Sequence, residues 1–220
     1  MDIGIEMAKP HIHVWDPLNL VLTFVMWAVM MAAMMIPSAS PLILLFATIN
    51  RERCKERGPF VSTGVFLLGY LVAWTVFSAL ATLAQWGFQT ATLLSPMLAI
   101  NNPVLGGALL FAAGVFQWTP LKYACLARCR SPLGFLMNEW RGGARGALIM
   151  GLRHGIYCIG CCWLLMSLLF VTGVMNLLWM AIITVFVLLE KIVPAGYWVS
   201  RIAGLLLITW GIWMAGGALF

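Results

Sequence analysis

Apolar residues along the chain form six long runs separated by shorter, more polar segments. These runs cover residues 18–37, 61–86, 103–121, 147–172, 176–193 and 197–219. A helix needs about 20 mostly apolar residues to cross the hydrocarbon core of a bilayer, and the runs are close to that length. The pattern therefore predicts an all-α fold, a polytopic transmembrane helical bundle of about six spanning helices with short interfacial or broken segments.

Prolines at the ends of two runs predict interruptions of the helices. Pro37 and Pro41 follow the first run, and the apolar character then continues. Because proline removes a backbone donor and clashes with the preceding turn, we expect a kink or a helix break after Pro37. Residues 38–50 would then form part of a broken helix or an interfacial segment. Pro120 lies at the end of the third run and predicts a kink or break there.

Basic residues are concentrated in two of the segments between the runs. Residues 51–57 carry four Lys or Arg, and residues 122–145 carry five. The positive-inside rule predicts that both segments lie in the cytoplasm and that both termini lie outside it. The membrane that the chain crosses is then the inner membrane of the cell. Residues 1–17 are then an outer-face tail, and residues 18–220 form a single transmembrane helical domain.

Composition narrows the range of functions. The chain is 63% hydrophobic and 9% charged, and its net charge of +6 is accounted for by the cytoplasmic segments. We therefore expect the chain to interact with the lipid bilayer and with another membrane protein or complex. Binding of nucleic acid is not expected. No Ser/His/Asp constellation is visible in the chain, which leaves an enzymatic activity open but favours a non-enzymatic role.

A cysteine-rich stripe within the fourth run carries the clearest chemical signal. At 3.6 residues per turn, the side chains of His154, Cys158, Cys161 and Cys162 fall within roughly 100° of one helix face. Thiols and an imidazole on one buried stripe indicate a soft-metal site or a thiol-redox centre. His154 and Cys162 are about 12 Å apart along the axis, so an ideal helix cannot bring all four to one ion. Either two or three thiols bind, or other helices contribute ligands.

Other donors lie outside this stripe. Met30 and Met34 share a helix face and offer thioethers to Cu(I), although flexible packing explains them as well. Cys125 and Cys129 are four residues apart and share a face if their segment is helical. Glu190 ends an apolar run, where a carboxylate either faces the bundle interior or pairs with a local cation.

The donor set also ranks the metals. Soft sulfur ligands favour Cu(I) as the bound ion. Zn(II) is the alternative and needs a fourth ligand, for which Glu190 or a cysteine after the third run is the candidate. A purely structural explanation of the same stripe is that the cysteines pack as small hydrophobic side chains.

Several blocks of this sequence resemble those of a known family. The blocks are Met30–Pro37, Gly114–Pro132, Gly151–Trp163 with Met166, Gly173–Trp179, and Glu190 and Lys191 with Pro194. They are similar to the bacterial domain-of-unknown-function 2182 family, whose members are described as predicted metal-binding integral membrane proteins. The resemblance implies a membrane protein of six or seven helices with a metal site. Its implied core ligands are His154, Cys158, Cys161 and Cys162, followed by Cys125, Cys129 and Glu190.

Three functions are consistent with these residues. The first is an integral membrane metal-binding protein that handles or delivers a soft metal, copper above all, through a Cys/His site within the membrane. The second is a membrane thiol-redox protein that uses Cys158, Cys161 and Cys162. The third is an accessory subunit whose helices pack against a larger membrane complex.

Overall fold

Helices account for nearly all of the chain that the structure describes. The structure is a computed structural model and describes residues 16–55, 63–95, 98–193 and 196–217. The predicted outer-face tail lies outside the described residues, apart from its last two positions. The helices in the described ranges are α1 (Pro17–Lys55), α2 (Thr63–Thr90), α3 (Pro103–Phe116), α4 (Pro120–Arg130), α5 (Pro132–Glu139), α6 (Gly143–Ser167), α7 (Leu169–Thr172), α8 (Leu177–Ile192) and α9 (Gly196–Gly216).

Four or five helical segments among the described residues are long and apolar enough to cross a membrane. Four stretches among the described residues are long and apolar enough, namely Pro17–Glu52, Thr63–Thr90, Gly143–Thr172 and Gly196–Gly216. A fifth span results if α3 and α4, which are bent by 64° against each other, are counted together. Helix α8 has 16 residues, which is shorter than the about 20 that a span needs. The all-helical fold is confirmed, and four to five helical segments are long and apolar enough to span a membrane, whereas six spans are not confirmed.

The two proline sites behave differently. A break precedes Pro120, as predicted, and the side chain of Thr119 accepts a hydrogen bond from the Lys122 amide to cap the new helix. The break expected after Pro37 is wrong, because α1 continues through both of its prolines. Pro41 leaves the Pro37 carbonyl without its helical donor, and the Ser40 hydroxyl donates to that carbonyl at 2.8 Å. A serine can thus replace the backbone bond that proline removes.

Close backbone contacts between pairs of helices build the bundle. Helix α2 packs along α6, and α3 packs along α9, while α1 covers α2 and α4 covers α6. A Cβ atom at Gly151 of α6 would collide with the backbone of Phe66 on α2. A Cβ atom at Gly107 of α3 would lie 2.7 Å from the Gly211 carbonyl on α9. Glycine at these positions lets the helix pairs approach closely, as small residues do in membrane helix packing.

Candidate metal centre

Helix α6 presents its cysteines and its histidine to the inside of the bundle. Cys158 and Cys162 are 0% exposed, and Cys161 and His154 are 2% exposed. The three cysteines belong to one buried apolar cluster, to which the methionine-rich part of α1 also contributes. The stripe on the fourth apolar run therefore faces inward, as its periodicity predicts.

Cys158 lies at the centre of this buried face. Lys191 of α8 donates a hydrogen bond from Nζ to the Cys158 sulfur at 3.0 Å. The Tyr70 hydroxyl of α2 is 3.3 Å from the same sulfur. The thiolate is the form of cysteine that binds soft metals, and an ammonium group at this distance is a suitable counter-ion for it.

A network of hydrogen bonds holds Lys191 and Tyr70 in place. Lys191 Nζ also donates to the Ser38 hydroxyl of α1 at 2.9 Å. The hydroxyls of Ser38 and Tyr70 both donate to the Met35 carbonyl, at 2.9 and 3.1 Å. Within the described part of the chain, no carboxylate forms an ion pair with Lys191. The cation that approaches Cys158 is therefore positioned by neutral groups.

These three polar residues are absent from the candidate ligands that the sequence offers. Ser38 and Tyr70 look like ordinary members of apolar helices, and Lys191 looks like the local partner of its neighbour Glu190. One signal was available, because an ionisable residue within an apolar run is a functional candidate by default. Their convergence on Cys158 depends on how the helices are rotated against one another, which the sequence pattern does not specify.

Helix α4 adds a fourth cysteine to the group. Cys129 is buried and belongs to the same buried cluster as Cys158, Cys161 and Cys162. We call Cys129, Cys158, Cys161 and Cys162 the sulfur cluster. Cys125 lies one turn earlier on α4 and is half-buried. It packs against Gly160 of α6, because a Cβ atom added to that glycine would be 2.8 Å from the Cys125 sulfur. The spacing of Cys125 and Cys129 thus puts both on the α6 side of α4.

The thiols of Cys161 and Cys162 are directed at the backbone. Both donate hydrogen bonds to the Cys158 carbonyl, at 3.0 and 2.9 Å. In the described residues, no three or more His, Cys, Asp or Glu side chains are arranged so that they can hold one ion. A preformed tetrahedral zinc site is therefore not seen in this region, and a metal must draw these thiols away from the carbonyl.

His154 lies one turn from Cys158 and has an unsatisfied nitrogen. Its ring stacks on Tyr70 at a centroid distance of 5.8 Å and meets Phe135 edge-on at 5.4 Å. The Nδ1 atom is buried and has no hydrogen-bond partner among the described residues. The ring is thus held by aromatic contacts, and one of its nitrogens is available to a ligand.

Buried methionines belong to the same apolar cluster as the cysteines of the sulfur cluster. Met30 and Met34 are buried in the same apolar cluster as the cysteines, together with Met31, Met35 and Met166. Their thioethers are soft donors, and they suit Cu(I) better than a metal that prefers oxygen or nitrogen. The same side chains also fill space in the bundle, so their burial fits both interpretations.

A cavity of about 190 Å³ opens beside the sulfur cluster. Its lining residues are Ser38, Pro41, Leu42, Cys129, Arg130, Pro132, His154, Lys191 and Ile192. Polar and charged groups of α1, α4, α6 and α8 therefore surround it. The cavity connects the ends of α4 and α8 and the middle of α1 and α6 to the edge of the sulfur cluster.

Glu190 does not join the sulfur cluster. Its carboxylate pairs with Lys122 of α4 at 2.6 Å and accepts a hydrogen bond from Ser200 of α9 at 2.6 Å. Lys122 also donates to Gln117, and its side chain is 0% exposed. Of the two expectations for Glu190, the bundle interior is the correct one, and its cation is Lys122 rather than a residue at the surface. We call Glu190, Lys122, Gln117 and Ser200 the ion-pair cluster.

Comparison of the chain with known proteins identifies one matching family model. A family model described as PpoB2, copper chaperone, matches residues 24–214. No curated protein and no solved structure shows significant similarity to the chain. The match agrees with the expected copper chemistry, and it does not confirm the name of the domain-of-unknown-function 2182 family. The matched range includes the sulfur cluster, the ion-pair cluster and both methionines Met30 and Met34.

Proposed function

The chain belongs to the PpoB2 family of copper chaperones, and from that premise we propose that it holds Cu(I) at the α6 thiols of the sulfur cluster, Cys158, Cys161 and Cys162, and delivers it to a partner protein. The observation that carries this proposal is the convergence of buried thiols around Cys158. A chaperone needs ligands that bind the ion firmly but can be exchanged, and thiolates suit that purpose for a soft metal.

The arrangement of donors favours Cu(I) over Zn(II). Zinc sites in proteins are normally four-coordinate and closed by preformed ligands. Here the thiols of Cys161 and Cys162 point to a carbonyl, and the buried cluster that contains them also contains methionine thioethers. Thioethers select copper, so a site assembled from Cys158, Cys161 and neighbouring methionines fits Cu(I) best.

Lys191 makes the charge of such a site acceptable in a buried region. A Cu(I) ion bound by two thiolates carries one net negative charge. The ammonium group of Lys191 is 3.0 Å from the Cys158 sulfur and cancels that charge. Because an isolated charge is costly away from water, a neutral assembly of copper, two thiolates and one ammonium is favoured.

We propose that the chain lies in the inner membrane of the cell. The apolar helices support membrane association, and the basic segments at residues 51–57 and 122–145 support their placement in the cytoplasm. Both termini then lie outside only if α8 also crosses the membrane. A reporter enzyme fused after Phe220 tests this: activity outside the cytoplasm is expected, and cytoplasmic activity would reverse the proposed position of the C-terminus.

Copper retention tests the proposed function. Full-length protein in lipid nanodiscs is loaded with Cu(I) under reducing conditions, passed over a chelating resin and analysed for copper. Wild-type protein should retain near-stoichiometric copper and little zinc. The triple variant Cys158→Ser/Cys161→Ser/Cys162→Ser should retain almost none while keeping its helical circular dichroism. Equal copper in the two proteins would refute the site, and wild-type protein without copper would refute the function.

A further inference from the structure

We infer that Cys129 is the ligand that first takes copper from its carrier, in the cavity that it shares with His154, before the ion moves to Cys158 and Cys161. This inference rests on the proposed function. It adds an entry ligand on α4 to the α6 thiols that the proposed function treats as one group.

The position of Cys129 sets it apart from the other thiols. Among the cysteines whose side chains are described, Cys129 alone lines the cavity of about 190 Å³. Cys158, Cys161 and Cys162 lie behind it with exposures of 0%, 2% and 0%. Since Cys129 also belongs to the same buried cluster as Cys158 and Cys161, it joins the cavity to the inner thiols.

His154 supplies an independent indication that the cavity receives a ligand. It lines the cavity, is 2% exposed, and has an Nδ1 atom without a hydrogen-bond partner in the part of the chain that the structure describes. A buried polar atom without a partner costs free energy and calls for a functional reason. Imidazole nitrogen is a good copper ligand. Copper held briefly by Cys129 and His154 would satisfy that atom.

The size of the cavity fits a small carrier. Its volume of about 190 Å³ accommodates part of a low-molecular-weight thiol complex but not a folded protein domain. The carrier class that we assign is therefore Cu(I) bound by two thiolates of a small monothiol. Thiolates are the soft ligands that keep Cu(I) bound in a reducing solution.

The transfer is a ligand exchange without electron transfer. The Cys129 sulfur bonds to copper as one carrier thiolate leaves and takes up the Cys129 proton. The Cys158 sulfur then displaces the second carrier thiolate, which leaves with the Cys158 proton. Two protein thiols and one copper bis-thiolate thus give a protein-bound copper bis-thiolate and two free thiols. Movement to Cys161 exchanges one protein thiolate for another and returns the proton to Cys129.

Uptake kinetics test this order. Full-length protein in nanodiscs is mixed with Cu(I) carried by 2-mercaptoethanol, and uptake is stopped at set times with a strong Cu(I) chelator. Cys129→Ser should slow uptake roughly tenfold or more while the final copper content stays at the wild-type level. Cys125→Ser is the matched control, because Cys125 is on the same helix and does not line the cavity. It should take up copper at the wild-type rate.

Two results would overturn the inference without touching the proposed function. Uptake by Cys129→Ser at the wild-type rate would mean that copper reaches the inner thiols by another route. A loss of final copper content in folded Cys129→Ser would make Cys129 a resident ligand. Wild-type protein that takes up no copper would instead refute the proposed function itself.

A second measurement does not depend on a variant. A small neutral alkylating reagent is added to folded wild-type protein, and its sites are followed by mass spectrometry. Cys129 should react before Cys158, Cys161 and Cys162, and its modification alone should slow copper uptake as Cys129→Ser does. Reaction of the three α6 cysteines before Cys129 would contradict the assigned order.

Discussion

Two neighbouring residues of α8, Glu190 and Lys191, lie in two buried regions of opposite character. Glu190 belongs to the ion-pair cluster, where its carboxylate meets Lys122 at 2.6 Å. Lys191 belongs to the region of the sulfur cluster, where its ammonium meets a thiol and a hydroxyl, at 3.0 and 2.9 Å. One region pairs opposite charges, whereas the other keeps a cation beside groups that can bind a further ion.

This difference separates a structural region from a binding region. The ion-pair cluster joins α4, α8 and α9 and leaves no charge for a ligand to compensate. The sulfur cluster has an excess of positive charge, soft donors turned to a carbonyl, and a cavity at its edge. We therefore expect substitutions in the first region to change stability, and substitutions in the second to change copper binding.

The largest effect is expected in the ion-pair cluster. Lys122→Met leaves Glu190 buried without its cation, which should lower the free energy of unfolding by about 3–5 kcal/mol. Chemical denaturation in detergent micelles measures this change. The double variant Lys122→Met/Glu190→Gln removes both charges and should recover most of the loss. A single variant as stable as wild type would show that the pair contributes nothing to the fold.

The next effect concerns Lys191 and copper affinity. Lys191→Met removes the charge that balances the copper bis-thiolate, and hydrogen bonds to charged groups contribute about 1.5–3 kcal/mol. The Kd for Cu(I) should rise roughly tenfold to a hundredfold, as measured by competition with a chromogenic chelator. Lys191→Arg keeps the charge and should stay closer to wild type. Unchanged affinity in Lys191→Met would remove the contrast between the two regions.

Helix packing gives a smaller effect that again separates the regions. Gly151→Ala forces α6 away from the Phe66 backbone of α2, and overpacking of this kind costs about 1–3 kcal/mol. Because α6 carries the thiols, copper retention should also fall. Gly114→Ala, whose Cβ would lie 2.7 Å from the Gly204 carbonyl, should lower stability alone. The added Cβ of Gly142→Ala meets no atom of the described residues within 4 Å, so this variant serves as the control.

The smallest effect is expected at Tyr70. Tyr70→Phe removes a hydroxyl that donates to the Met35 carbonyl at 3.1 Å and lies 3.3 Å from the Cys158 sulfur. A neutral hydrogen bond of this kind contributes about 1 kcal/mol. Thermal unfolding should detect a small destabilisation, and copper content should stay at the wild-type level. Loss of copper in Tyr70→Phe would make the phenol part of the binding site.

The sequence predicted those features that depend on periodicity and local chemistry. The inward stripe on α6 follows from the spacing of Cys158, Cys161 and Cys162. The break before Pro120 follows from the effect of proline on a helix. The predicted break after Pro37 failed because Ser40 satisfies a carbonyl that the prolines leave free, a local compensation that a rule about proline alone does not include.

Features that depend on helix rotation and register were beyond the sequence. The pairing of Lys122 with Glu190 joins residues far apart in the chain, and so does the contact of Lys191 with Cys158. Apolar periodicity gives the inward face of each helix, but it does not say which inward residues meet. The number of spans was uncertain for a related reason, since α8 is short and α3 and α4 form a bent pair.

The central claim is that sulfur atoms around Cys158 hold the copper, and copper K-edge X-ray absorption of the loaded protein tests it most directly. The account predicts a nearest shell of sulfur atoms around Cu(I) in wild-type protein. It also predicts that this shell disappears in the triple variant of Cys158, Cys161 and Cys162. A nearest shell of nitrogen and oxygen alone in wild-type protein, or an unchanged sulfur shell in the triple variant, would contradict the account.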